Sequence, residues 1–314
     1  MSRTFEESLL AVLCAAVVSW AAPHTPAAAQ ENKAETGPVS ENPNPMLLGV
    51  DDAGKRRHIY EDPVMQAAFE EIGFDFLMHH IRGKPTLADI DALARWAKRT
   101  GKGFWLNQEN TTRPRGDAGY YRKPGYFFQP SEKYIRRCLA SEQFMGVCYD
   151  EAEHWATNGV WITSRQGQGY RPHFYDADGD TLRQAYEGTL FNLRALMKRH
   201  YTPFAAARTG PLGGPIVATE HVFPIYFHTF ARAGISPMPK LLKETVTPVA
   251  AAMALGAAKQ YNSRYVTCLD LWALRSGWPG HSPEALGSAM LFSYWTGAEA
   301  AYVENFNYRG QSLY

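Results

Sequence analysis

The sequence is poor in cysteine and carries no excess of charge of either sign. Its 314 residues include four cysteines, and the formal net charge is +1. Three cysteines, Cys138, Cys148 and Cys268, lie beyond the N-terminal segment. An odd number of cysteines cannot all pair, so no disulfide framework is predicted, although one bridge stays open. The near-neutral charge gives no electrostatic case for binding nucleic acid.

Motifs that bind metals or nucleotides are also absent from the sequence. There is no C-x-x-C, no H-E-x-x-H and no spaced pair of histidines typical of a zinc site. The first strand-like run is followed by Asp51-Asp52-Ala53-Gly54-Lys55. A single glycine there does not make the glycine-rich turn of a dinucleotide-binding fold. The sequence therefore predicts no cofactor and no bound metal.

The N-terminal apolar run is too short to cross a membrane. Residues 9–22 are almost wholly apolar, whereas a span needs ~20 apolar residues. Small residues follow at 27–29, and this order is typical of a secretory signal peptide, here 1–29. Residues 30–45 are rich in Glu, Asn, Pro and Ala without apolar periodicity, which predicts a disordered spacer. We expect a secreted or periplasmic protein, folded over 46–314, with no stable membrane insertion after cleavage.

The rest of the chain alternates short apolar runs with helical patterns. This alternation favours a parallel sheet, and eight such units predict a single (β/α)8 barrel rather than an open doubly wound sheet. Pro237 and Pro239 weaken the sixth strand because proline lacks a backbone N–H. The short segment after the eighth strand leaves two alternatives: a barrel without its last helix, or a sequence that ends early relative to its relatives. The predicted strands are 46–50, 74–78, 103–106, 144–149, 215–219, 235–240, 265–269 and 300–303. The helices predicted between them are 63–72, 86–99, 131–139, 181–200, 223–233, 247–261 and 282–295.

Acidic residues and histidines follow most of the predicted strands. The C-terminal ends of barrel strands form one rim, where the active site of such a fold lies. Aromatic residues make up 13% of the chain, and many stand beside polar residues, which fits either a large core or rings that stack on sugars. The residues at the strand ends are Asp51, Asp52, His79, His80, Glu109, Asp150, Glu151, Glu153, Glu220, His221, Asp270 and Glu304.

This layout resembles the TIM-barrel glycoside hydrolases. The resemblance covers the mature chain in architecture and only short segments in motif, the best being 147–151, an apolar strand that ends in Asp150-Glu151. Many retaining barrel glycosidases carry the acid/base Glu after strand four and the nucleophile after strand seven, places that Glu151 and Asp270 would fill. Asp stands here where those enzymes have Asn before the acid and Glu on strand seven. Asp150, Glu220 and Asp270 instead match the residue types of α-amylase-like barrels, without their surrounding motifs, so no single family is assigned.

The resemblance implies an enzyme that cleaves a glycosidic bond with two carboxyl groups in different protonation states. Neighbouring carboxylates raise one another's pKa, so a crowded acidic rim supplies a proton donor. We assign catalysis to Glu151, Glu220 and Asp270, with Glu151 as the acid and one of the others as nucleophile or base. Binding of an oligo- or polysaccharide is assigned to Asp51, His79, Glu109, Asp150, Glu153, His221, Trp272 and Glu304.

Two other functions remain open at this point. A carbohydrate-binding or scaffold protein on a decayed barrel would account for the missing eighth helix and for the non-standard motifs. A metal-dependent barrel hydrolase would use Asp51, Asp52, His79, His80 and Asp270, but such enzymes normally show a His-x-His on an early strand, which this sequence lacks. The sugar, the linkage, the stereochemistry and the oligomeric state are not predicted.

Overall fold

The computed structural model describes residues 45–52, 58–81, 86–108, 132–152, 182–208, 210–242, 246–271 and 281–304. All of them belong to the unit Asn44–Tyr314. The predicted signal peptide, residues 30–44 of the predicted spacer and residues 305–314 lie outside the described residues. Within the described ranges, no helix is both long enough and apolar enough to cross a membrane.

Eight parallel strands close into a barrel, and each strand pairs with its neighbours in the sequence. The closing pair joins the first strand to the eighth, with Leu47–Val50 registered against Ala300–Val303. The predicted (β/α)8 fold is therefore confirmed, and the sheet closes through its own first and last strands. The strands are β1 (Leu47–Asp51), β2 (Phe76–His80), β3 (Gly103–Gln108), β4 (Phe144–Tyr149), β5 (Ile216–His221), β6 (Ser236–Leu241), β7 (Val266–Asp270) and β8 (Ala300–Glu304).

Three of the described α-helices follow a residue whose side chain accepts a free backbone N–H group: Asp62, Thr86 and Ser282. Asp62 accepts the N–H of Val64 at 3.1 Å before the first helix, and Ser282 accepts the N–H of Ala285 at 3.2 Å before the last described one. Gly73 ends the first helix in the left-handed conformation, with φ 86°. The described α-helices are α1 (Pro63–Ile72), α2 (Leu87–Thr100), α3 (Glu132–Leu139), α4 (Leu182–Leu196), α5 (Phe227–Arg232), α6 (Thr247–Tyr261) and α7 (Pro283–Trp295).

Side chains alternate between the barrel interior and the helix-facing layer. Leu77, Phe104, Val147, Val217 and Leu269 pack outward with residues of the helices. The alternate residues of each strand point into the barrel and fill it, so the lower part of the barrel is a packed core and not a channel. The buried members of this interior cluster are Phe76, Met78, Trp105, Met145, Cys148, Leu212, Ala218, Met238, Val266, Cys268, Ala300 and Tyr302.

A register shift between β3 and β4 sets the direction of the residues that follow it. Phe104 pairs with Phe144, but Trp105 pairs with Gly146, so β4 has one extra residue. Gly146 has φ 142°, and a Cβ there would lie 1.9 Å from the carbonyl oxygen of Ile216. Only glycine fits this bulge. The shift explains why Met145 and Cys148, three residues apart, both belong to the interior cluster.

β6 forms in spite of its two prolines. Along a strand, alternate residues direct their N–H groups to the same neighbour, so prolines two residues apart remove donors on one side only. The registered pairing with β5 runs from Ser236 to Pro239, whereas that with β7 is confined to Lys240 and Leu241. The expected irregularity is thus present on one side of the strand.

The three cysteines Cys138, Cys148 and Cys268 are buried and unbridged.

Two predicted helices differ from the observed ones. The helix predicted to reach residue 200 continues from Leu196 as a π-helical turn, Met197–Tyr201. The helix predicted from 223 begins only at Phe227, because the preceding residue, Tyr226, has a left-handed backbone with φ 61°.

Candidate active site

A layer of polar side chains lies directly above the apolar interior of the barrel. Each of its members stands two residues beyond an inward-facing residue of its strand, so alternation directs it inward at the C-terminal end. Lys240, for example, follows Met238, and Glu304 follows Tyr302. All of these side chains are buried. This polar layer consists of Asp51, His80, Asn107, Asp150, Glu220, Lys240, Asp270 and Glu304.

The ammonium of Lys240 is the centre of the polar layer. Its Nζ atom lies 3.1 Å from an oxygen of Glu151 and 3.1 Å from one of Glu220. Asp270 and Asp150 have oxygens at 3.3 and 3.7 Å. Nζ also donates a hydrogen bond to Glu304. Five carboxyl groups from β5, β7, β8 and the end of β4 therefore converge on one buried cation, which reaches them from β6.

Glu220 binds that cation and three further donors. Its Oε2 atom faces the ammonium of Lys240, while its Oε1 atom accepts from Asn107 Nδ2 at 3.1 Å and from Cys148 Sγ at 3.2 Å. The Tyr302 hydroxyl donates to the same Oε1 atom. These contacts come from β3, β4, β6 and β8, so the side chain of Glu220 on β5 connects four other strands of the barrel.

Burial and neighbouring charges shift the pKa values of several of these groups. Burial, and next the negative charge of Asp270, raise the pKa of Glu304 to about 8. Burial also raises the pKa of Asp150 well above its usual range, although the Lys240 ammonium acts against it. For Lys240 burial favours the neutral amine, but the surrounding carboxylates, Glu151 first, outweigh it and raise its pKa. Glu304 therefore holds a proton near neutral pH beside the Lys240 ammonium, and the pKa of Asp150 is shifted in the same direction.

Three of the five carboxyl groups reach the mouth of the barrel. The side chains of Glu151, Glu304 and Asp150 are 13, 11 and 10% exposed, whereas those of Glu220 and Asp270 are fully buried. Glu151 also has a left-handed backbone, with φ 43°. Such a conformation costs a non-glycine residue about 1 kcal/mol or more and is concentrated at functional sites. Among the five carboxyl groups around Lys240, those of Glu151, Glu304 and Asp150 are therefore the ones that keep some exposure.

His80 connects the part of the polar layer on β1 and β3 to the carboxyl groups around Lys240. His80 Nε2 lies 3.3 Å from Asp51 Oδ2 and 3.3 Å from Asn107 Nδ2. Since Asn107 also donates to Glu220, the contacts run from β1 through β2 and β3 to the carboxyl cluster.

A second group of titratable residues lies beside β1 and β2. Asp52 Oδ2 accepts from His79 Nδ1 at 2.7 Å and from His58 Nδ1 at 2.9 Å, and its Oδ1 accepts the backbone N–H of His80 at 2.8 Å. Burial opposes the ionisation of Asp52, but the histidines outweigh it and hold its pKa well below the usual range. The hydrogen bond to Asp52 raises the pKa of His58.

Two sets of side chains in the described residues bring three metal-ligating atoms within 4.8 Å of one another: Asp52, His58 and His79, and Glu220, Cys268 and Glu304. In the first set, one carboxylate oxygen already accepts from both imidazoles. In the second, Glu220 and Glu304 both contact Lys240. Hydrogen bonds and an internal ammonium thus occupy the donor atoms in each case.

The structure brings six of the predicted site residues together, namely Asp51, Asp150, Glu151, Glu220, Asp270 and Glu304. His79 instead faces Asp52, and His221 lies under α5, where Nδ1 donates to the carbonyl of Ile225 at 2.9 Å and the ring stacks on Phe227. The predicted residues Glu109, Glu153 and Trp272 lie outside the described residues.

Sequence reasoning missed Lys240, Asn107 and Tyr302. A signal for Lys240 was present, because it has the same strand parity as Met238 at the end of the sixth strand. A lysine at an inward position of a barrel strand needs acidic partners. Asn107 has the same parity as Trp105, but an amide at a strand end is common and carries no comparable signal.

Comparison with known proteins adds a likeness of fold alone. No protein-family model and no curated protein matches the sequence. Among solved structures, the chain is similar to an HpcH/HpaI aldolase from Desulfitobacterium hafniense, at 10% identity and TM-score 0.43 over 83% of this chain and 87% of that one. It is also similar to a "putative alpha-L-fucosidase" from Bacteroides thetaiotaomicron, at 11% identity and TM-score 0.40 over 93 and 95% of the two chains. An L-talarate dehydratase from Polaromonas matches at 12% identity and TM-score 0.44, over 83% of this chain and 53% of that one. These names cover several reaction classes.

Proposed function

We propose that this chain is a glycoside hydrolase that cleaves an oligo- or polysaccharide at the C-terminal rim of its barrel. The observation that carries the proposal is the convergence of five carboxyl groups on the Lys240 ammonium, with three of the five reaching the mouth. Glycoside hydrolysis needs one protonated and one ionised carboxyl group that flank the scissile bond. The pKa of Glu304, raised to about 8, supports a protonated partner at neutral pH, and the pKa of Asp150 is raised as well.

In this mechanism a protonated carboxyl group at the mouth gives its proton to the glycosidic oxygen as the bond to the anomeric carbon breaks. A neighbouring carboxylate either removes a proton from the attacking water or itself attacks that carbon. In the second case water then hydrolyses the glycosyl-enzyme ester, and the first residue, now ionised, takes the proton from that water. Glu304 and Asp150 are the candidates for the proton donor by their pKa values. Glu151, which lies beside the same ammonium, is the candidate for the carboxylate, or for the donor if substrate binding protonates it.

The charge state of Lys240 argues against a second kind of barrel chemistry. A lysine that forms a Schiff base with a carbonyl substrate must lose its proton to become a nucleophile, and such lysines have a lowered pKa. Here the surrounding carboxylates raise the pKa of Lys240. An ammonium in contact with five carboxyl groups is therefore suited to holding charges in place and not to attacking a carbonyl.

The sequence supports an extracytoplasmic site for this activity. The apolar run at 9–22 and the small residues at 27–29 fit a cleaved signal peptide. Export would bring the enzyme to polymeric or oligomeric sugars outside the cytoplasm. Mass spectrometry of the protein recovered from a secreting host tests this point, with a mature N-terminus near Gln30 expected and a retained Met1 contradicting export.

The decisive experiment measures hydrolysis of a panel of aryl glycosides and oligosaccharides by the wild type and by Glu304→Gln, Asp150→Asn and Glu151→Gln. Glu71→Gln, on the exposed side of α1, is the matched control for loss of one carboxylate. Loss of a general acid lowers kcat on the order of 10²–10⁴-fold, and we expect this for at least one mouth variant and not for Glu71→Gln. Carbohydrate binding by the wild type without any hydrolysis would instead favour a binding protein on a decayed barrel.

A further inference from the structure

The ammonium of Lys240 contacts more carboxyl groups than an ion pair requires. The contacts come from Glu151, Glu220 and Asp270 at 3.1–3.3 Å, from Asp150 at 3.7 Å, and from Glu304. Burying a carboxyl group in its ionised form is costly, and one cation does not compensate five such groups. A purely structural salt bridge would therefore be expected to use fewer acids, whereas a catalytic site benefits from acids that differ in their proton affinity.

The position of the ammonium explains how these acids can coexist. Lys240 is fully buried at the end of β6, and its stem continues the inward row that begins with Ser236 and Met238. Lys240 is registered against Cys268 of β7. Pro237 and Pro239, which precede Lys240, leave β6 poorly paired with β7. The ammonium is buried among the carboxyl groups, while those of Glu151, Glu304 and Asp150 keep part of their exposure.

We propose that Lys240 is the positioning residue of this site: its ammonium holds the five carboxyl groups around one point and determines which of them carries the transferable proton. This proposal rests on the proposed function for its catalytic consequence. The arrangement of the cluster around the ammonium does not depend on which bond the enzyme cleaves. Lys240 itself transfers no proton and forms no bond to the substrate.

Removal of the ammonium gives the first test. Lys240→Ala deletes three methylenes and the charged group, a fragment that n-propylammonium matches in size and charge. We expect kcat of Lys240→Ala to fall on the order of 10²-fold or more, as for loss of a preorganised charge. Added n-propylammonium should restore part of that rate with saturation, whereas 1-propanol, which lacks the charge, should not. Lys259→Ala, an exposed lysine of α6, is the control and should keep wild-type rate.

The pH profile separates positioning from a structural role. Without the ammonium, the carboxylate form of each neighbour loses its nearest positive charge, so the carboxyl pKa values rise. The acid limb of the kcat profile of Lys240→Ala should therefore move to higher pH, and n-propylammonium should move it back. A uniform loss of activity at every pH, with no rescue, would show that Lys240 only supports the fold and would overturn the proposal.

A measurement on the wild type covers the case in which Lys240→Ala does not fold. In protein labelled with ¹⁵N-lysine, the Nζ resonance of Lys240 should stay that of an ammonium through pH 9. It should also shift with an apparent pKa near 8 as Glu304 titrates beside it. A neutral amine near pH 7, or no response to the titration of the carboxyl groups, would overturn the proposal.

These readouts distinguish the two proposals. If no glycoside is hydrolysed but the Nζ resonance reports the carboxyl titration and n-propylammonium raises the melting temperature of Lys240→Ala, the assigned reaction fails and the role of Lys240 stands. If glycosides are hydrolysed and Lys240→Ala retains wild-type turnover and pH profile, the reaction stands and the role of Lys240 fails.

Discussion

The Nζ atom of Lys240, near the end of β6, lies 3.1 Å from Oε1 of Glu151, which follows β4. The contact crosses the mouth of the barrel past β5, which separates the two strands in the sheet. It joins the residue that sequence reasoning selected as the acid to a cation that sequence reasoning missed. Glu304 and Asp150 contact the same ammonium, but burial raises the pKa of each, and for this reason we propose them ahead of Glu151 as proton donors.

The first prediction concerns the pH dependence of activity. If Glu304 is the proton donor, its carboxyl group is protonated below about pH 8, so kcat/KM should fall as the pH rises through that value. Glu304→Gln cannot donate a proton and should lower kcat on the order of 10²–10⁴-fold. The pH–rate profile of the wild type checks this. An alkaline limb that is unchanged in Glu304→Gln, with near wild-type turnover, would assign the proton to Asp150 or Glu151 instead.

The second prediction concerns the contact between His58 and Asp52. The pKa of His58 is raised in the folded protein, so its contribution to stability is fully present below the unfolded pKa of about 6.5 and is lost as the pH rises through the folded pKa. His58→Gln should therefore cost about 1 kcal/mol at pH 6, after allowance for the partial exposure of His58, and less at pH 9. Urea denaturation at both pH values checks this, and an equal cost at both would contradict it.

The third prediction concerns the bulge in β4. A Cβ at residue 146 would lie 1.9 Å from a backbone oxygen of β5, and the alanine would have to adopt φ 142°. Gly146→Ala should therefore cost more than about 3 kcal/mol, since two backbones must separate. Gly287→Ala is the matched control, because residue 287 lies inside α7 with no atom within 4 Å of the added Cβ.

For Gly287→Ala, helix propensity predicts a gain of about 0.5–1 kcal/mol. Chemical denaturation of both variants measures the two changes. A Gly146→Ala protein as stable as the wild type would show that the register shift between β3 and β4 is not rigid, and would remove the argument that it directs Asp150.

Most of the fold followed from periodicity, because helix and strand patterns depend on local residue order. The strand predicted at 144–149 and the helices predicted at 63–72 and 247–261 have the observed bounds. The inner and outer positions at the strand ends were not separated in the same way. His79 and His80 are neighbours in the sequence, yet one faces Asp52 and the other faces Asp51 and Asn107. A prediction that lists strand-end residues without their parity cannot distinguish such neighbours.

The contacts at the centre of the site could not be predicted from the sequence for a different reason. Contacts such as those of Tyr302, Asn107 and Cys148 with Glu220 join residues 72–113 positions apart. Such contacts depend on barrel closure, and no local pattern records them. The acids themselves could be predicted because each follows an apolar run. Lys240 could have been added by the same argument, had cations at the strand ends been considered beside acids.

The last prediction separates a structural carboxylate from a catalytic one. Glu220 accepts from three donors at Oε1 and contacts the ammonium at Oε2. In Glu220→Gln, the amide group must point either at those donors or at the ammonium, and each choice leaves a buried donor facing another donor. Breaking a buried pair in this way costs roughly 3–5 kcal/mol. Stability and activity should therefore fall together.

Glu304→Gln should behave in the opposite sense. Folding raises the pKa of Glu304 to about 8, whereas the pKa of this residue in the unfolded chain is ~4.3. At neutral pH the folded protein therefore binds a proton that the unfolded chain has released. This difference means that the wild-type residue destabilises the folded protein at neutral pH. The glutamine variant should be more stable than the wild type at pH 7, with a difference that shrinks as the pH falls towards 4, while its activity is lost. Thermal unfolding of both variants across pH 4–8, with turnover measured on the same samples, checks the contrast. If Glu220→Gln were stable but inactive, and Glu304→Gln unstable but active, the buried residue would be the catalyst and Glu304 the support.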